Sequence, residues 1–206
     1  MKNLHSSSEF DKFVEELQLR LVDAVLKSDI IQLKELLDMG VSPDSKTSCM
    51  RTAIMAAAER NNSEAIRSLI TYGADLNGRD CFGRTPLHVA DDPESISLLL
   101  KHGGDVNAED MLGRTPIHYA YDPVVIELLV SHGGILDKRD VNGETPLHHA
   151  VSCGEINAIK KLIELGADAQ IIDNRGRDIK KIAMESGFEE AIGFFEDGFR
   201  QHPAGK

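Results

Sequence analysis

A chain of 206 residues, 41% hydrophobic with a net charge of −11, holds enough apolar material for one folded domain or a short stack of repeats. No apolar run approaches the ~18 residues that a membrane-crossing helix needs, and the acidic balance argues against a nucleic-acid phosphate backbone as partner. The three cysteines, Cys49, Cys81 and Cys153, show neither metal-ligand nor disulfide spacing, and the first eight residues lack the apolar stretch of a secretory signal. Together these features predict a cytoplasmic protein, with nuclear residence or signal-independent export also compatible.

Residues 1–8 read as an unstructured lead. Ser6-x-x-Glu9 and Ser8-x-x-Asp11 match capping-box patterns that start a helix near Ser8. Phe10, Phe13, Val14, Leu17 and Leu21 share one helical face, so residues 1–20 are read as a lead and a helix capping the first repeat. Residues 21–170 hold five repeats. In the first, Leu21 to Ala24 begins an inner helix, Ile30 to Leu37 forms an outer one, and Gly40 closes it. The second runs from Thr52 to Gly73, with Ala56-Ala57-Ala58 keeping its inner helix thin enough to stack closely. The turn ahead of it, Pro43 to Cys49, has no glycine and predicts an irregular loop.

The next three repeats open on nearly one tetrapeptide: Thr85-Pro86-Leu87-His88, Thr115-Pro116-Ile117-His118 and Thr145-Pro146-Leu147-His148. Threonine caps a helix start and proline costs no hydrogen bond in the first turn. Each tetrapeptide comes after Asp-x-x-Gly-x, from Asp80, Asp110 and Asp140, where the glycine allows the positive φ of a tight turn. The closing glycines Gly40, Gly73, Gly103, Gly133 and Gly166 are spaced by 33, 30, 30 and 33 residues, so the third and fourth repeats have lost three residues each. Aligning Ala90 and Ala120 with Ala150 puts the gap between the two helices. There Asp91-Asp92-Pro93 and Tyr121-Asp122-Pro123 predict a tighter turn between two retained helices, with a local change of curvature or groove depth. Residues 171–200 read as a C-terminal capping repeat: Asp178 starts its helix, and Ile182, Ala183, Ile192, Phe194 and Phe195 close the core. Residues 201–206 read as a tail.

A fixed period of this size marks a repeat architecture. The Thr-Pro-Leu-His openings resemble the ankyrin repeat, and the resemblance extends from about residue 17 to residue 197. It implies an all-α solenoid of about six helix-turn-helix repeats joined by β-hairpin-like loops. It also implies that Thr and His tie neighbouring turns together. A single repeat cannot bury its own apolar face, so the stack is the folding unit.

His88, His118 and His148 recur at one position, which invites a metal reading. Packed helices lie ~8–10 Å apart, whereas a zinc–nitrogen bond is about 2.0–2.1 Å, so equivalent histidines of successive repeats cannot share an ion. The chain has no GxSxG, HExxH, P-loop, dinucleotide-binding or CxxC pattern. No catalytic residue, cofactor or metal is therefore expected.

Binding remains, and the resemblance implies where: the hairpin tips and the exposed side of the inner helices. On this sequence the tips carry Arg79, Phe82 and Arg84, then Met111, Leu112 and Arg114, then Val141 and Glu144. The inner-helix side contributes Asp92, Tyr119, Asp122 and His149. Apolar residues at turn tips are unusual and suggest a contact patch. The arginines predict a basic, apolar lip above an acidic floor. The expected function is non-catalytic recognition of another protein across the third to fifth repeats, by a chain that is monomeric on its own. The net charge of −11 favours a basic partner. Small size and charge leave two alternatives: an inhibitor or immunity-type protein that blocks a basic partner, and a host-directed effector or adaptor.

Overall fold

Alanines set the spacing of the inner helices: Ala53, Ala56, Ala57 and Ala58 are buried almost completely, so neighbouring helices approach closely. The computed structural model describes the backbone of residues 4–47 and 49–198 and the side chains of residues 12–47 and 49–193. The expected tail at 201–206 and the side chains of Phe10, Phe194 and Phe195 lie outside the described residues. Every element among the described residues is helical, and no helix is long and apolar enough to cross a membrane. The chain divides into two compact units, Met1–Ala108 and Glu109–Lys206.

In the first unit, α1 (Leu4–Leu26) pairs with α2 (Ile30–Asp38), α3 (Ala53–Glu59) with α4 (Ser63–Thr71), and α5 (Pro86–Val89) with α6 (Pro93–Lys101). The inner row α1, α3, α5 stacks in order, and so does the outer row α2, α4, α6. Leu21, Ile54 and Leu87 of the inner row are fully buried, as are Leu33, Ile66, Leu69, Ile96 and Leu99 of the outer row. Outer helices begin on side-chain caps: the Asp29 carboxylate accepts from Gln32 N–H and the Asn62 amide oxygen from Ala65 N–H. The second unit holds a 3₁₀ turn (Pro116–Tyr119) with α7 (Pro123–Ser131), α8 (Pro146–Cys153) with α9 (Ile156–Glu164), and α10 (Ile179–Ser186) with α11 (Glu189–Gly198). Its core runs through Ile117, Ile126, Leu129, Leu147, Val151, Ile159, Leu162 and Ile182.

Four sequence expectations need correction. First, α1 starts at Leu4 rather than near Ser8, and it continues unbroken through Leu21, so cap and first inner helix are one element. Second, Phe13 is exposed, while Leu21 on the face predicted for it is buried. Third, the loop at Pro43 to Cys49 leads into a regular tip. Thr47 N–H donates to Arg51 C=O at 2.9 Å and Met50 N–H to Thr47 C=O at 2.8 Å, the same frame that Asp80, Gly83 and Arg84 make one repeat later. Met50 takes the glycine's place with φ +55, against +77 at Gly83.

The fourth concerns the short repeats. Their missing residues come out of the inner helix, not the linker. The inner helix has 7 residues in α3 and 8 in α8, but 4 in α5 and 4 in the 3₁₀ turn. Full-length repeats leave the inner helix through a left-handed residue, Asn61 in one and Gly154 in another. In the short ones Ala90 (ψ 138°) and Ala120 (ψ 119°) go straight into extended backbone. Proline explains this. A residue before proline is pushed out of the helical region, so Asp92 and Asp122, ahead of Pro93 and Pro123, cannot extend the inner helix.

Candidate functional site

From the third repeat on, each tip is built by one aspartate. Asp80 N–H donates to Arg84 C=O, and the Asp80 carboxylate accepts from Phe82 N–H at 2.8 Å and Arg84 N–H at 2.9 Å. Asp140 and Asp173 do the same with Asn142 and Glu144, and with Arg175 and Arg177. Burial alone would raise these three carboxyls. The backbone N–H donors and the arginine beside each outweigh it and hold them below the usual range. The acids are thus turned inward, and the tips present the residues next in the chain. Neighbouring tips join through the backbone: Cys81 N–H to Cys49 C=O at 3.1 Å in the first unit, Val141 N–H to Leu112 C=O at 2.9 Å and Asn174 N–H to Asn142 C=O at 2.8 Å in the second.

Behind each tip the tetrapeptide locks the helix start. Thr85, Thr115 and Thr145 each donate their N–H to the Nδ1 of the histidine three residues on, at 3.1, 3.0 and 3.2 Å. Each threonine hydroxyl lies 2.8–3.0 Å from that same nitrogen. An Nδ1 that accepts a backbone N–H carries no proton, so these rings are neutral with the proton on Nε2. Burial pushes His118 down to about 4, with the His149 ring adding to the shift against weaker pulls from the Glu144 backbone and Asp140. The His118 and His149 rings meet edge to face at 5.4 Å.

The predicted contact residues separate into three groups. Phe82, Met111, Leu112 and Val141 are exposed at the tips, at 60%, 70%, 44% and 58%. Arg84 stacks its guanidinium 5.1 Å above the Phe82 ring, and Arg79 donates to Gly83 C=O within the same tip. Asp92 and Asp122 are helix caps: Asp92 accepts from Glu94 and Ser95 N–H, Asp122 from Val124 and Val125 N–H. Arg114, Tyr119, Glu144 and His149 are half-buried in a network that ties repeats of the second unit together. Tyr119 donates to Asp110 at 2.6 Å, Arg114 reaches Asp140 in the next repeat at 3.1 Å, and His149 sits 3.3 Å from Asp140 and 3.5 Å from Glu144. Arg177 closes the far end on Glu144 at 2.8 Å and on Asp173 at 2.7 Å. Glu59, the last residue of inner helix α3, is paired with Arg51.

Among the described residues, Asp140, Glu144 and His149 bring ligand-type atoms within 4.8 Å of one another. Guanidiniums already sit against both carboxylates, Arg114 on Asp140 and Arg177 on Glu144. The donor set is charge-balanced by protein and does not fit a cation. Sequence reading passed over Arg177. Its signal was position: it stands four residues after Asp173, as Arg84 stands after Asp80.

A family model described as ankyrin repeats (3 copies) matches residues 21–110 and 91–173, most of the chain. The chain belongs to the ankyrin-repeat family. Its ankyrin repeats are similar to a stretch of inactive serine/threonine-protein kinase TEX14 from Bos taurus, 32% identical over 76 residues, which is 37% of this chain and 5% of that protein. They are also similar to ankyrin repeat-containing protein P1E11.10 from Schizosaccharomyces pombe, 38% identical over 68 residues, 33% of this chain and 32% of that protein. The chain therefore spans a third or less of these relatives' own length. Ankyrin repeats are in general protein-interaction modules, and the family is typically non-catalytic.

Proposed function

We propose that this ankyrin chain is a non-catalytic, monomeric module that grips a partner protein through its hairpin tips. One observation carries the reading: large apolar side chains stand exposed at successive tips, held there by inward-turned aspartates. Phe82 does so in the first unit, and Met111, Leu112, Val141 and Ile172 in the second. A tip that presents Phe or Met to water gains free energy when a partner covers it, ~1.5–3 kcal/mol for each side chain fully buried. Within the second unit, the half-buried ion network keeps the tips in register, so their order there is set before a partner arrives.

The test is selective capture. Wild-type chain and a Val124→Ala control on α7 should retain the same partner, while the combined Phe82→Ala, Met111→Ala and Val141→Ala variant loses it with helicity intact. Equal retention by the triple variant would sink the proposal. An inhibitor that blocks a basic partner draws on net charge rather than on the tips. It predicts that retention collapses as salt rises, whereas apolar tips predict weak salt dependence.

A further inference from the structure

Sequence spacing offers no reason to pair any two of the three cysteines. The fold does. Cys49 is the second tip residue of the second repeat, Cys81 is the first tip residue of the third, and Cys81 N–H donates to Cys49 C=O at 3.1 Å. Both thiols are free and exposed. Covalent geometry around a direct N–H···O=C bond holds the two Cα atoms roughly 5–6 Å apart. That lies inside the roughly 4.4–6.8 Å found for disulfide-bonded cysteines. At the equivalent junction in the second unit, the first tip residue leans back over the previous tip: Val141 Cγ1 lies 3.6 Å from where a Cβ on Gly113 would be. By register, the Cys81 side chain lies over Met50, the residue that follows Cys49.

We propose that Cys49 and Cys81 are a paired-thiol modification site, closed to a disulfide by a small-molecule disulfide such as oxidised glutathione. One cysteine, as thiolate, attacks the glutathione S–S bond, forming a mixed disulfide and releasing one glutathione thiolate. The second cysteine attacks the protein sulfur of that mixed bond and expels the second glutathione. The two protein sulfurs lose two electrons, which reduce the glutathione disulfide, and their two protons end on the two glutathione thiols. A dithiol reductant reverses the sequence. The link ties down the tip that carries Phe82, the residue after Cys81, so the redox state sets the freedom of a candidate contact side chain.

The experiment counts thiols on the full chain after incubation with oxidised glutathione, and it needs no partner. Wild type should fall from three titratable thiols to one, its intact mass should drop by two hydrogen atoms, and a protease digest should yield a peptide linking Cys49 to Cys81. Cys153→Ser should fall from two thiols to none. Cys49→Ser and Cys81→Ser should yield no internally linked peptide. Three thiols retained by wild type, separate adducts on Cys49 and Cys81, or linked dimers in place of the internal bond would each overturn the proposal.

Discussion

Met50 holds a backbone conformation that costs a side chain ~1–2 kcal/mol. With φ +55 it stands in for Gly83, within an otherwise matching hydrogen-bond frame. Met50→Gly should therefore stabilise the chain by about 1 kcal/mol, after the larger entropy of glycine in the unfolded chain is subtracted. Urea unfolding checks it: the midpoint should rise with an unchanged slope. His118 makes a second residue-scale prediction. Its folded value of about 4 lies below the 6.5 of a free histidine, so the unfolded chain binds the proton first as pH falls. Stability is complete above pH 6.5 and declines toward pH 4, by about 3 kcal/mol for this ring. His148 and His149 are shifted the same way, both chiefly by burial, and add to the decline. A thermal midpoint that stays flat from pH 7 to 4 would contradict the buried, neutral assignment. The Asp-x-x-Gly turns were legible because aspartate and glycine name their own geometry. The Met50 tip was not, since its hydrogen-bond frame persists while the glycine that advertises it is gone.

The instructive element is the clipped inner helix. Counting residues between closing glycines located the two short repeats, but it could not say whether linker or helix gave way. The answer lay in Asp92-Pro93 and Asp122-Pro123, where proline bars the preceding residue from the helix. Read for its effect backward along the chain, each proline marks an early exit. Read only as a helix start, it suggested a tighter turn. Both aspartates now have a structural duty, with Asp122 accepting from Val124 N–H at 2.7 Å and Val125 N–H at 3.3 Å. Asp122→Ala should cost about 1 kcal/mol of stability in thermal or urea unfolding, as lost helix caps do. Partner retention should be unchanged, because the side chain is spent on α7. If stability held and binding fell, Asp122 would belong to the contact surface instead.

For the molecule as a whole, the repeat and its helical fold were readable from three tetrapeptides, because a helix pair that cannot bury its own face needs neighbours like itself. The binding residues were only partly readable. Exposure depends on side-chain direction, which a sequence does not print. Met111 and Val141 point out, while Arg114, Glu144 and His149, equally plausible on paper, turn to Asp140 and Arg177. Overall charge misled in the same way: Asp80, Asp140 and Asp173 contribute to the net −11 yet are buried behind their tips. The claim that most needs testing is that a partner covers the tips. Hydrogen–deuterium exchange of the chain with and without its captured partner tests it most directly. Slowed exchange confined to residues 81–84, 111–114 and 141–144 is the predicted result, and protection of the outer helices α4, α6, α7 and α9 with unchanged tips would contradict it.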